Sequence, residues 1–264
     1  KLTGAFTAAF KNEQLKLVMR SIRRDCPSTK RPKRLAITVP LMSDMLGLLN
    51  PERYEHAVLW TSLTIAVYGL LRAGEMTYKD EFSSILRRSD ITWSDDYFII
   101  HLRASKTDVF REGVDIYIHR NGSFSCPYAA MRALWEASPK QELHAPVLQD
   151  ADGNPYKYTD FHAGIKGLAV GLKLDPTQFG THSCRIGGAT TLAMLGYPTH
   201  VLMTLGRWKS DCYLRYLRLS VVAVAGYSKA MASSAKLPYF GKLDLTRASA
   251  LNFESLRSEY NLQA

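Results

Sequence analysis

Between residues 181 and 218 the chain reads THSCRIGGATTLAMLGYPTHVLMTLGRWKSDCYLRYLR. Leu192, Leu195, Val201, Leu202 and Leu205 mark the buried side of two short helices, separated where Gly196-Tyr197-Pro198 punctuates the chain. Gly187 and Gly188, followed by Ala189, strip bulk from the first helix and let another backbone approach it closely. His182 and Arg185 are three residues apart, so on a helix they share one face and point at one anion. The second helix ends near Gly206, and the polar GRWKSD segment, with an exposed Trp208, leads into a third helix carrying Tyr213 and Tyr216.

The rest of the chain supplies a core for this stretch. Residues 5–24 place Phe6, Phe10, Leu15, Leu17, Val18 and Ile22 at helical spacing, which predicts one or two amphipathic helices. Residues 25–34 hold two prolines together with Lys30, Arg31, Lys33 and Arg34, the composition of an extended basic linker suited to a phosphate backbone. From Thr38 a helical domain begins, and PERYEHAVLWTSLTIAVYGLLRAGEM reads as one long, central helix ending at Arg72 and Glu75. On spacing alone that pair is a surface ion pair. The period then changes: YFIIHLR and VDIYIH alternate as two antiparallel strands, with a short strand near Ile91 and a connection carrying Lys106. Helices return with CPYAAMRALWEAS and TDFHAGIKGLAVGLKL, the latter capped by Thr159 or Asp160. His162 and Lys166 could touch phosphate, but a solvated helix face is the better reading of both. LRLSVVAVAGYSKAMASSA after Tyr216 reads as a further apolar-faced helix, followed by a polar tail over 236–264. The expected fold class is mainly α with a small antiparallel β-sheet (α+β).

Charge narrows the partner. A formal net charge of +10 over 264 residues favours an anionic polymer, although a merely basic soluble protein accounts for charge alone equally well. The four cysteines show no CxxC or Cys/His ligand spacing, so neither a metal site nor a disulfide framework is expected, and a reducing compartment fits best. No run of 18 or more apolar residues suggests a membrane span, and no signal-peptide pattern opens the sequence. Lys at position 1 suggests that an upstream part is missing.

His-x-x-Arg at 182–185, Gly-Arg-Trp at 206–208 and a Tyr eight residues after the Trp resemble the C-terminal boxes of the tyrosine recombinases of the lambda-integrase type. The spelling GRWKSDCYLRYLR is most similar to recombinases of eukaryotic Crypton and DIRS mobile elements. Arg-x-x-Glu at 72–75 is similar to the family's first box. The resemblance implies the end of a DNA-clamping domain over 1–24, a strap over 25–37, a catalytic domain over 38–235 and a tail over 236–264 that docks on a neighbouring protomer. It implies that Arg72 and Arg185 hold the scissile phosphate, Glu75 supports Arg72, and His182 and Trp208 line the phosphate. Lys106 would protonate the leaving oxygen, and Tyr216 would attack. Lys30, Arg31, Lys33, Arg34 and Arg207 would contact double-stranded DNA. No metal, cofactor or ATP is implied, the working form would be a tetramer on two DNA sites, and no membrane is involved. The location would be the nucleus in a eukaryote and otherwise the cytoplasm or nucleoid. Trp208 stands where many bacterial relatives carry His, an accepted variant.

Spacing alone leaves Tyr213 as a rival nucleophile, since Tyr213-Leu214-Arg215 repeats Tyr216-Leu217-Arg218; Tyr227 is a weaker third. Two other functions stay open: a non-cutting DNA-binding module, whose mark would be a broken box, and a monomeric type IB topoisomerase using similar chemistry.

Overall fold

A computed structural model describes residues 14, 17, 18, 21, 33–50, 52–80, 83, 85–103 and 112–218. All belong to a first unit ending at Arg218; the second unit, 219–264, lies outside the described residues, as do Lys30, Arg31, Lys106 and Tyr227. Of the helices expected over 5–24, only Gln14, Leu17, Val18 and Ser21 are described. All four are helical, and Leu17 and Val18 are exposed.

The organising element is helix α2, Tyr54–Tyr68, which follows the short α1, Val39–Leu46. Its residues from Val58 to Val67 are buried almost all round, Trp60 alone being half-buried, as expected of a helix with neighbours on every side. Full burial of a side chain such as Leu63 or Ile65 contributes ~1.5–3 kcal/mol. The hydroxyls buried with them are satisfied locally: Ser62 donates to the Val58 carbonyl at 2.8 Å and Thr64 to that of Thr61 at 2.9 Å.

Contrary to the sequence expectation, α2 does not run on to Glu75. It stops at Gly69; Leu70 then takes a left-handed conformation (φ 47°), and a separate turn of helix, α3, spans Ala73–Met76. A leucine in that region costs ~1–3 kcal/mol, so the surroundings must hold it there. They do so through the Leu70 carbonyl, described below.

Three antiparallel strands follow in the order β1 (Ile91–Trp93), β2 (Tyr97–Leu102), β3 (Val114–His119), matching the alternation seen in the sequence. Phe98 pairs with Ile118 and Ile100 with Ile116, and these side chains face the core. Helices α4 (Pro127–Ala137) and α5 (Tyr158–Gly171) complete the scaffold around α2. The α5 cap is Lys157, with Thr159 and Asp160 already inside the first turn. His162 is half-buried and stacks on Tyr158, instead of standing on a solvated face.

Helix α6 (Thr181–Met194) lies close against α2 where Gly188 permits it, and against the stretch before α1 where Gly187 does. A Cβ on Gly187 would fall on the Ile37 carbonyl oxygen, and one on Gly188 on that of Val67. After the break at Gly196-Tyr197-Pro198 comes α7 (Thr199–Gly206). Of the leucines expected to be buried here, Leu195 and Leu205 are 69% and 50% exposed, and only Leu202 and half-buried Leu192 turn inward. The segment Asp211–Tyr216 forms a 3₁₀ turn where an α-helix was expected. Among the described residues no helix is long and apolar enough to cross a membrane.

Candidate active site

Helix α6 presents its first turn, with His182 and Arg185, toward the turn that follows α7 and carries Tyr216. Arg185 is the largest fully buried side chain. A guanidinium withdrawn from water is expensive unless its donors are used. Here Nη1 donates to the Leu70 carbonyl and Nη2 to the Gly206 carbonyl, while Nε has no partner. Its guanidinium carbon lies 4.5 Å from the Trp208 ring centroid and 5.4 Å from that of Tyr216. Burial, with Arg72 and Arg207 close by, pulls Arg185 down to about 10, still a cation at neutral pH.

Trp208 is buried, not exposed as its polar neighbours suggested. Its ring occupies the space that any side chain at position 206 would need, so glycine there is a packing requirement. It stands 4.9 Å from the Tyr216 ring and 6.3 Å from the Tyr213 ring. The indole Nε1–H is a second buried donor without a partner. His182 packs on the other side of Tyr216, at 4.9 Å. Although exposed by surface area, His182 has protein packed around its ring. Desolvation first, then the positive charges of Arg185, Arg34, Arg72 and Arg218, hold its pKa below the ordinary 6.5.

Glu75 ties the two ends of the site together. Its Oε1 accepts from Arg72 Nη1 at 2.7 Å and its Oε2 from Arg207 Nη2 at 2.9 Å, while the Arg72 backbone N–H also donates to Oε2 at 2.8 Å. With side chains only 19% and 6% exposed, Arg72 and Glu75 are no surface pair. The sequence reading put Arg207 on DNA, yet its side chain is 9% exposed and turned inward. It caps α7 in a left-handed conformation (φ 56°) and donates to the carbonyls of Gly69 at 3.2 Å and Leu70 at 2.9 Å. The strained Leu70 carbonyl thus receives both Arg185 and Arg207.

The structure therefore brings Arg72, Glu75, His182, Arg185, Trp208 and Tyr216 into one continuous set of contacts. Lys33 and Arg34 are exposed, with Arg34 Nη1 donating to the Phe179 carbonyl at 3.0 Å. Tyr213 is 9% exposed in one cluster with Trp208, Leu70 and Ala189, whereas half-buried Tyr216 packs on that cluster and also meets His182. Leu70 and Thr190 escaped the sequence reading, and Arg218 entered it only as the end of the Tyr216-Leu217-Arg218 triplet. Of the first two, only the polar Thr190 amid small apolar residues offered any hint.

No protein-family model matches the sequence, and no curated protein matches it. Solved structures do share the fold. The XerH site-specific recombinase bound to palindromic difH substrate in a post-cleavage complex superposes with a TM-score of 0.58 at 12% identity, over 75% of this chain and 52% of that one. XerA recombinase gives 0.57 at 12% identity, over 81% and 67%. The Tn1549 transposon integrase in complex with transposon right end DNA gives 0.53 at 14% identity, over 82% and 70%. These are recombinases and an integrase, and the mainly helical fold with its small antiparallel sheet is the one this chain shares with them. The chain spans about half the length of XerH.

Proposed function

We propose that this chain is the catalytic part of a site-specific DNA recombinase or transposase that cuts and rejoins DNA through a 3′-phosphotyrosyl intermediate. The observation that carries the proposal is the clustering of His182, Arg185 and Trp208 around Tyr216, with ring distances of 4.9 Å from Tyr216 to both His182 and Trp208. The Arg185 Nε–H and the Trp208 indole N–H are buried donors without partners, and a phosphate oxygen is a suitable acceptor.

In the proposed reaction the Tyr216 Oη attacks the scissile phosphorus. The new phosphorus–oxygen bond forms as the bond to the 5′-oxygen breaks. His182, held neutral near pH 7 by its surroundings, accepts the phenolic proton. Arg72 and Arg185 stabilise the charge that develops on the non-bridging oxygens. Lys106, on the β2–β3 connection outside the described residues, would protonate the departing 5′-oxygen. The bond energy stays in the phosphotyrosyl linkage, so rejoining needs no ATP, and the reaction needs no metal.

The likeness of the fold to DNA-bound recombinases supports double-stranded DNA as the partner. From the resemblance of its boxes, and not from the fold, we further propose a tetramer on two sites as the working form, kinship with the recombinases of Crypton and DIRS elements, and action in the nucleus of a eukaryotic host or otherwise in the cytoplasm or nucleoid. The test is incubation with nicked duplexes tiled across the DNA that encodes and flanks the chain, followed by denaturation. The expected product is a protein–DNA adduct resistant to heat and detergent. Tight, salt-sensitive binding with no adduct on any duplex would point instead to a non-cutting module.

A further inference from the structure

Thr190 is buried in α6, 1% exposed, and its hydroxyl is shared between two points of the segment that bears Tyr216. It donates to the Tyr216 carbonyl at 3.1 Å and accepts the Arg218 backbone N–H at 3.1 Å. The Arg218 side chain then folds back. Nη1 donates to the carbonyls of Arg215 at 2.8 Å and Leu217 at 2.9 Å, and Nε reaches the Arg34 carbonyl at 3.0 Å. The stretch around Arg34 is itself fastened to the start of α6 and to the turn before it, with Ile37 N–H on the Ser183 carbonyl at 3.0 Å and Leu35 N–H on that of Gln178 at 2.8 Å.

A 3₁₀ turn has poorer hydrogen-bond geometry than an α-helix, so Tyr216, at the end of one, depends on outside fastenings for its place. Arg218 spends both Nη1 and Nε on carbonyls, which suits a structural clamp better than a phosphate contact. We infer that Thr190 and Arg218 form a latch that positions Tyr216 and ties it to the basic stretch ending at Arg34. Both are positioning residues: neither touches the proposed reacting atoms. Through this latch, a DNA strand held by exposed Lys33 and Arg34 acts on the placement of the nucleophile.

The inference rests on reading Tyr216 as the nucleophile, and its test separates the two. Thr190→Val keeps shape but removes both bonds, whereas Thr190→Ser keeps the hydroxyl; Arg218→Ala and Arg218→Lys form a second pair. In single-turnover adduct formation at saturating duplex, Thr190→Val and Arg218→Ala slow cleavage by roughly 10- to 100-fold, the scale of loss that follows misplacing a reacting group. The duplex Kd is unchanged, and Thr190→Ser regains the wild-type rate. A folded Thr190→Val protein that cleaves at the wild-type rate overturns the latch. The labelling rate of the half-buried Cys212 thiol, in the same turn, gives a readout that needs no cleavage. If the wild-type protein forms no adduct, the recombinase reading fails, and Cys212 then decides the latch alone. Faster labelling in Thr190→Val than in Thr190→Ser supports it, and equal rates sink it.

Discussion

The Arg185 guanidinium carbon lies 5.4 Å from the Tyr216 ring, and the same group donates to the carbonyls of Leu70 and Gly206. One side chain therefore holds three segments in register while facing the proposed nucleophile. Arg185→Ala should lower the rate of adduct formation by about 10²- to 10³-fold, as loss of a transition-state donor does. It should also lower stability by ~1.5–3 kcal/mol, because carbonyls that received a charged donor lose it. Arg72→Ala should match the rate loss with a smaller change in melting temperature, since Arg72 keeps one side to solvent. Single-turnover kinetics and thermal melts check both, and equal melting losses would contradict the distinction.

Arg207 separates a structural cation from a DNA-binding one. Its guanidinium is committed to Glu75 and to the carbonyls of Gly69 and Leu70. Arg207→Ala should slow cleavage by releasing Glu75 from one of its two arginines, yet leave the salt dependence of duplex binding unchanged. Lys33→Ala should do the reverse, reducing the slope of log K against log salt by about 1. A reduced slope in Arg207→Ala would return that residue to the DNA surface.

The close approaches of α6 to α2 and to the stretch before α1 make a sharp stability prediction. Gly187→Ala and Gly188→Ala each place a methyl on a main-chain carbonyl that cannot swing away. Each should cost ~1–3 kcal/mol or more in urea unfolding. Gly167→Ala on α5 meets nothing within 4 Å and should stabilise by roughly 0.5–1 kcal/mol through helix propensity. Equal effects at the three positions would refute the close packing.

His182 sets the sign of a pH effect. Its folded-state pKa lies below the ordinary 6.5, chiefly through desolvation and then through the arginines around it. Below about pH 6.5 the unfolded chain therefore binds more protons at this residue than the folded one. The stability associated with neutral His182 is complete above that pH and falls as the solution is acidified through it toward the folded-state value. Wild type should thus lose more stability than His182→Asn between pH 7 and pH 5. The acid limb of the cleavage rate should likewise fall below pH 6.5. An acid limb above that value would mean that the imidazole is not the neutral base.

Period and punctuation were enough to read much of this molecule. Alternation in YFIIHLR and VDIYIH located β2 and β3, and paired glycines located the close approach of α6. The order Arg72, Glu75, His182, Arg185, Trp208, Tyr216 pointed to residues that fold into one cluster. What escaped was governed by tertiary contacts. An apolar run through Leu70 and Leu71 looks helical, and only the two arginines on the Leu70 carbonyl explain why the chain turns left-handed there. Trp208 lies in a polar segment but is buried because Gly206 leaves room for its ring. Arg207 turns inward for Glu75, 132 positions away, a distance over which no local pattern carries information.

The most direct measurement is mass-spectrometric mapping of the residue that carries DNA after trapping on a nicked duplex. A nucleotide remnant is expected on Tyr216, lost in Tyr216→Phe and retained in Tyr213→Phe. A remnant on Tyr213, which is buried against Trp208, Leu70 and Ala189, would contradict the assignment of the nucleophile. An adduct persisting in Tyr216→Phe would contradict the geometry on which the whole site has been built.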